Sequence, residues 1–452
     1  VNILMFTNTF LPIVGGVSES VQRLKRQLQG QGHRVLLVAP KLEGQPEEEE
    51  GVIRVAAVQN FNGSDFSLPV PIPGQLYDAI EAFEPDIVHS HHPFLLGDTA
   101  CRAAETYGLP LVFTHHTLYE HYTHYVPGDS PRMQRFATSL ATQYTWLCDA
   151  VIVPSESILQ LLLEREGNPA ISVVPSGVAT SRFAQGNRCY WRERLGIPQQ
   201  AYVIGHVGRL AHEKNLAFLA EAVSQALQAC PTAHFLVVGE GAAQSSMVDI
   251  AHSRGVSDRL HFTGRLQDQG LIDAYHTMDV FAFASHSETQ GMVVAEAMAA
   301  GLPVVAVSAP GIREVVIDGD NGRLLDSDDV EAMVDALVSL QEPRRRLPLC
   351  ESALVTAATY DEARCAERCL AVYRQVIAQG GPLTHADDGG WDRIRSRLGA
   401  EWHMLCYRGR LLKRLVRSEL SEHGPAWLPE NSEGAPTPIG TVDSDVDTGS
   451  DR

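Results

Sequence analysis

Three observations predict an α/β protein made of two parallel-sheet domains. Short apolar runs rich in Val and Ile recur along the chain without polar alternation. Segments long enough for helices separate them. The runs form two series, broken once around residues 178–200. Unbroken apolar runs mark strands buried on both faces, and helical crossovers between such strands make the pairing parallel.

The first series is NILMFTN (2–8), RVLLVAP (34–40), DIVHS (86–90), LVFTHH (111–116), AVIVPS (150–155) and ISVVPSG (171–177). The second is AYVIGHVGRL (201–210), HFLVVGEG (234–241), LHFTG (260–264), VFAFAS (280–285) and PVVAVSAPG (303–311). Between them, RFAQGNRCYWRERLGIPQQ reads as the interdomain connection. Two Rossmann-like domains facing a cleft follow, with ligands expected beyond the carboxyl ends of the strands.

Composition bounds the function. A chain of 452 residues, 44% hydrophobic, can bury two or three cores. Its formal charge of −19 argues against nucleic acid as a partner, so any affinity for phosphate must be local. The 8 cysteines are thinly scattered with no Cys-x2-Cys pair, as in a reduced, cytoplasmic enzyme. The opening VNILMFTNTF lacks a basic leader, and no run approaches the length of a membrane span.

Chemistry concentrates after particular strands. Gly15 and Gly16 precede a helix expected from about Ser18, where free backbone N–H groups face any ligand that approaches. Arg209 and Lys214, in GRLAHEKN, flank a strand-to-helix loop and together suit a pyrophosphate. Such cations stabilise charge on a departing diphosphate. In SHSETQGMVVAEAMAAGLPVVAV, a helix is expected over Gly291 to Ala300, closed by Gly301 and Pro303. Glu288 then stands at the helix mouth and Glu296 about a turn inside, placed to accept from sugar hydroxyls. Asp318-Gly319-Asp320 spells D-x-D, but in VVIDGDNGRLL it reads as a tight turn between helix and strand.

These residues resemble family 4 glycosyltransferases of the GT-B fold. ETQGMVVAEAMAAGLPVVA is close to that family's signature, and VVPSGV (173–178) is similar to its interdomain segment. HSHHPFLLG (89–97) and HTLYEHYTHYVP (116–127) resemble the branch that glycosylates diacylglycerol or related lipids. The resemblance implies an acceptor domain over 1–178, a donor domain over 179–360, and a helix over 361–380 returning to the first domain. It implies a retaining hexosyltransferase that needs no metal or other cofactor and takes a nucleotide sugar, UDP-glucose being favoured. Arg209 and Lys214 would hold the diphosphate, Glu296 the ribose and Glu288 the hexose. Gly291, Met292 and Val293 would give backbone contacts, Gly15 and Gly16 would lie under the diphosphate, and Leu266 is counted on the donor side. No residue is an evident nucleophile for double displacement; the resemblance implies instead a front-face route in which the leaving phosphate itself takes the acceptor's proton. His116 then orients sugar or acceptor.

FTHHTLYEHYTHYVP (113–127) admits three readings. His115, His116, His121 and His124 have spacing that zinc could use, though no Cys joins them. They could also be polar loop residues beside core aromatics. The preferred reading is a loop over the cleft, with Tyr119, Tyr122 and Tyr125 lining an acceptor entrance. Residues 381–420 form a basic extension. Within it 391–417 carries eight Lys/Arg with interleaved Trp and Leu, which suits either an anionic membrane surface or packing on the protein. Residues 421–452 are polar and acidic and expected to be disordered. The expected activity is hexose transfer to diacylglycerol at the inner face of the cell membrane. The alternatives are transfer to a soluble sugar or polyol, and nucleotide-sugar epimerisation on the same fold.

Overall fold

A computed structural model describes residues 1–13, 15–46, 49–58, 68–69, 73–120 and 130–380. The N-terminal half opens with β1 (Asn2–Phe6), α1 (Gly16–Gly30), β2 (Arg34–Pro40) and β3 (Val52–Val55). A small antiparallel pair, β4 (Ala57–Val58) and β5 (Leu68–Pro69), precedes α2 (Pro73–Phe83) and β6 (Ile87–Ser90). Then come α3 (Leu96–Tyr107), β7 (Leu111–Thr114), α4 (Pro131–Thr145), β8 (Ala150–Val153), α5 (Glu156–Glu164) and β9 (Ile171–Val173). The sheet runs β3-β2-β1-β6-β7-β8-β9, parallel throughout.

Two short helices, α6 (Thr180–Phe183) and α7 (Arg188–Leu195), lead into β10 (Tyr202–Val207) and α8 (Leu216–Ala229). β11 (Ala233–Val238), α9 (Gln244–Ser253), β12 (Leu260–Phe262), α10 (Asp268–Thr277) and β13 (Val280–Phe283) follow. Next are α11 (Met292–Ala299), β14 (Val304–Val307), β15 (Gly322–Leu325), α12 (Val330–Ser339), α13 (Pro343–Thr359) and α14 (Glu362–Ala378). The second sheet is β12-β11-β10-β13-β14-β15, also parallel.

The unbroken apolar runs have the expected cause. β6, β7, β8, β10, β13 and β14 are buried along their whole length, because helices cover both faces of each sheet. The connecting segment packs on the second core through Val178, Ala179, Phe183 and Ile197. Arg192 anchors it from a fully buried position. Its guanidinium donates to the carbonyls of Pro198, Gln199, Ala201 and Thr277 and to Asp279. These bonds, all through the two terminal nitrogens, offset the cost of burying the cation.

α14 returns to the N-terminal half and buries Cys369, Leu370, Tyr373 and Val376 in the core around β1 and β2. The two chain crossings lie side by side. Val178 N donates to Tyr360 O, and Glu362 N to Val178 O. A Cβ on Gly177 would come within 2.4 Å of the Glu362 Cα, so the crossing needs glycine there.

The fold departs from the sequence reading at β3, at the small β4–β5 pair and before the 318–320 turn. β3 was not expected: VIRV is a short, partly exposed run broken by Arg54. The stretch before the 318–320 turn is not a helix but hydrogen-bonded turns, with Val315 N and Val316 N on Ile312 O. Gly311 is pressed against the 289–290 backbone, where a Cβ would sit 2.3 Å from Gln290 N. The 318–320 turn itself is present: Gly319 has φ +76, and Asp318 Oδ1 accepts from Arg323 Nε and Leu324 N.

Candidate functional site

Strand order reverses between β1 and β6 in one sheet and between β10 and β13 in the other. Crevices at the carboxyl ends of such strands are where open α/β sheets bind ligands. The motif residues of the C-terminal half follow β10 and β13. Gly15 and Gly16 follow β1, His91 and His92 follow β6, and His116 follows β7.

Lys214 ends a short 3-10 turn after β10, and its Nζ donates to Glu288 Oε1 at 2.5 Å. Both side chains are mostly enclosed, at 15% and 16% exposure, so their mutual field is weakly screened. Arg209, from the same loop, is half exposed and pairs with Glu213 at 2.7 Å. His206, next to the end of β10, donates from Nδ1 to Ala282 O, and burial lowers its pKa to about 4.

Gly291 caps α11 at φ +75, a conformation that disfavours other residues, and a Cβ would meet Ile312 Cδ1 at 2.4 Å. Met292 and Val293 form the first turn of α11. Glu296 lies one turn in and is buried. Its Oε1 accepts from Arg23 of α1 at 2.7 Å and its Oε2 from Tyr275 at 3.2 Å. Leu266 is partly buried against the same core, just before α10. Gly15 and Gly16 open α1 with clear space around the position of any Cβ.

Lys214 and Glu288 are therefore joined, whereas Arg209 and Glu296 engage other partners. Sequence reasoning missed Arg23. It lies on the α1 face that carries Ser20, one turn earlier, and a cation on the inward face of a cleft helix was the available signal. It also missed the clamp between the halves. Gln290 pairs with both Ser176 N and Ser176 O, and Ser155 donates to Thr289 O. Glu314 accepts from Glu156 N and Ser157 N, capping α5 from across the cleft.

His116 Nε2 lies 2.9 Å from His91 Nδ1, and its carbonyl accepts from Thr289 Oγ1 at 2.9 Å. Burial first, then the neighbouring histidines, hold both imidazoles well below their usual pKa. Behind them a cavity of about 40 Å³ is lined by residues that include Ser20, Arg23, His91, His116 and Cys369. That is far below the roughly 300–1,000 Å³ of a ligand pocket, so the halves are tightly apposed there. A larger hollow, about 670 Å³, lies between β15, α12 and α13 and touches none of the motif residues.

The Tyr119 ring packs edge-on against Phe94 and His115, beside buried Leu118. Its phenol is pushed well up by burial. Tyr122, Tyr125, His121 and His124 lie outside the described residues, as does the 391–417 extension. Among the described residues no group of three His, Cys, Asp or Glu side chains is placed to hold a metal ion. Among them, too, no helix is long and apolar enough to cross a membrane.

Comparison with known proteins adds to this geometry. Residues 14–182 match the model described as Glycosyltransferase Family 4, and residues 201–342 match Glycosyl transferases group 1. The chain is 27% identical over 390 residues to the alpha-monoglucosyldiacylglycerol synthase of Acholeplasma laidlawii, covering 82% of this chain and 96% of that protein. It is 31% identical over 360 residues to a GDP-mannose-dependent alpha-mannosyltransferase of Mycobacterium tuberculosis, covering 77% and 90%. Among solved structures it resembles sucrose-phosphate synthase from Thermosynechococcus elongatus, with a TM-score of 0.69 over 84% of this chain and 99% of that one. At 21% identity that likeness bears on the fold alone.

Proposed function

This chain belongs to glycosyltransferase family 4 and has the GT-B fold, and from that premise we propose that it transfers glucose from UDP-glucose to diacylglycerol with retention at the anomeric carbon. The observation that carries the reading is the Lys214–Glu288 pair at the mouth of α11, on the switch point of the second sheet. A cation there meets a diphosphate, and the carboxylate beside it accepts from hexose hydroxyls. Arg209 shares the diphosphate, and Glu296 takes the ribose once Arg23 releases it. Gly15 and Gly16 leave room for the diphosphate from the other half, and the Met292 and Val293 amides complete the donor contacts.

The acceptor oxygen bonds to C1 on the face from which the C1–O bond to the diphosphate breaks. The acceptor's proton passes to the departing phosphate oxygen. The protein's part is to position both substrates and neutralise the diphosphate, which needs no bound metal. Likeness to a monoglucosyldiacylglycerol synthase over nearly its whole length supports glucose and a lipid acceptor. The lipid reading puts the enzyme peripherally on the cytoplasmic face of the membrane. A second reading, mannose from GDP-mannose, is favoured by the 31% identity to the mannosyltransferase.

The test offers UDP-glucose, UDP-galactose and GDP-mannose with diacylglycerol vesicles, in chelator, and identifies products by mass spectrometry and anomeric proton coupling. An α-glucosyl diacylglycerol from UDP-glucose is expected. Product from GDP-mannose alone supports the second reading, and no lipid product overturns the first.

A further inference from the structure

His91 belongs to no motif that assigns it a task, yet it is among the most enclosed polar residues of the N-terminal half, at 1% exposure. Its Nδ1 lies 2.9 Å from His116 Nε2, with the rings stacked at 27° and centroids 5.2 Å apart. Its Nε2 is buried with no hydrogen-bond partner among the described residues. Its other face lies against His89, centroid to centroid at 4.0 Å. His89 is itself fixed at both nitrogens, by Thr114 Oγ1 at 2.7 Å and by Tyr373 of the returning helix at 2.6 Å.

Neutral rings carry one N–H each, so only one proton can lie between His91 and His116. If His116 Nε2 held it, His91 would keep its own proton on Nε2, leaving a buried donor unpaired. Orphaned buried N–H groups are among the rarest features of native proteins. With the proton on His91 Nδ1, the unpaired atom is a bare ring nitrogen instead. His116 then accepts at Nε2 and carries its own proton on Nδ1.

We propose that His91 is a positioning residue that holds His116 in the Nδ1–H tautomer, so that His116 meets the transferred hexose or its acceptor as a hydrogen-bond donor. The reference point is the ring of His89, clamped by α14, so that helix sets a side chain in the cleft through two histidines. This rests on the glycosyltransferase reading for what His116 meets, but not for its tautomer.

The experiment records long-range proton–nitrogen spectra of the full chain labelled at histidine nitrogens, with His116 assigned by its loss in His116→Gln. Wild type is expected to show His116 protonated at Nδ1. In His91→Leu the donor is gone, and His116 should move toward the Nε2–H form that free imidazole prefers. In His91→Asn the side-chain amide stands near the position of Nδ1, so the Nδ1–H signal should persist. Glucosyl transfer should fall about ten- to a hundredfold in kcat for His91→Leu, with donor KM little changed, and recover in His91→Asn. Wild-type His116 protonated at Nε2 overturns the proposal, as does a tautomer indifferent to His91→Leu. The expected spectra without any sugar transfer would leave the tautomer assignment standing and remove the enzymatic reading.

Discussion

Lys214 and Glu288 pair with each other, so each is held and oriented where the proposed diphosphate sugar would bind. Lys214→Met should lower kcat about 10²- to 10³-fold, the scale of losing one preorganised donor to a developing anion. Glu288→Gln should act on kcat more than on donor KM. Steady-state kinetics of both variants check this, and wild-type turnover in either contradicts the assignment. The buried histidines make a separate prediction. Burial lowers His89 and His92 to about 3 and His115 to about 4. Their folded pKa values lie below the unfolded one near 6.5, so the unfolded chain binds the extra protons. Their neutral forms cost the fold nothing above about pH 6.5, and stability drops as pH falls from there toward 4, by up to about 1.4 kcal/mol per pH unit for each group. Urea midpoints should fall between pH 7 and pH 5. A flat profile would mean that these rings are protonated in the fold without penalty.

At the scale of elements, the strands were legible because burial on both faces leaves an unbroken apolar run. β3 was not, being an edge strand with Arg54 inside it. The Glu288 to Glu296 segment was legible because a strand end, a cap glycine and a short helix follow one another locally. Arg23 and Glu296 are 273 residues apart, and no local pattern records such a pair. The same holds for Glu314 capping α5. Two substitutions test element packing. Gly291→Ala places a Cβ at positive φ against Ile312 and should cost about 1–3 kcal/mol. Tyr373→Ala empties a fully buried site where α14 meets the N-terminal core and should cost about 3–5 kcal/mol. Denaturant unfolding measures both, and a loss below about 0.5 kcal/mol for Tyr373→Ala would mean that α14 is not part of that core.

At the scale of the molecule, two sheets meet with their switch points facing, held by Gln290, Glu314 and the Arg23–Glu296 pair. That last pair occupies the carboxylate expected to take the ribose, so donor binding has to exchange Arg23 for a hydroxyl. The basic 391–417 extension is proposed to hold the enzyme against anionic lipid. Co-sedimentation with anionic vesicles should retain the full chain and release a 1–380 chain. Equal behaviour of the two would assign the extension another task. The most direct test of the whole reading is a crystal structure of the chain with UDP bound. The account predicts the diphosphate on Arg209 and Lys214, the ribose on Glu296, and Arg23 displaced. A diphosphate seated away from Arg209 and Lys214, with the Arg23–Glu296 pair intact, would contradict it.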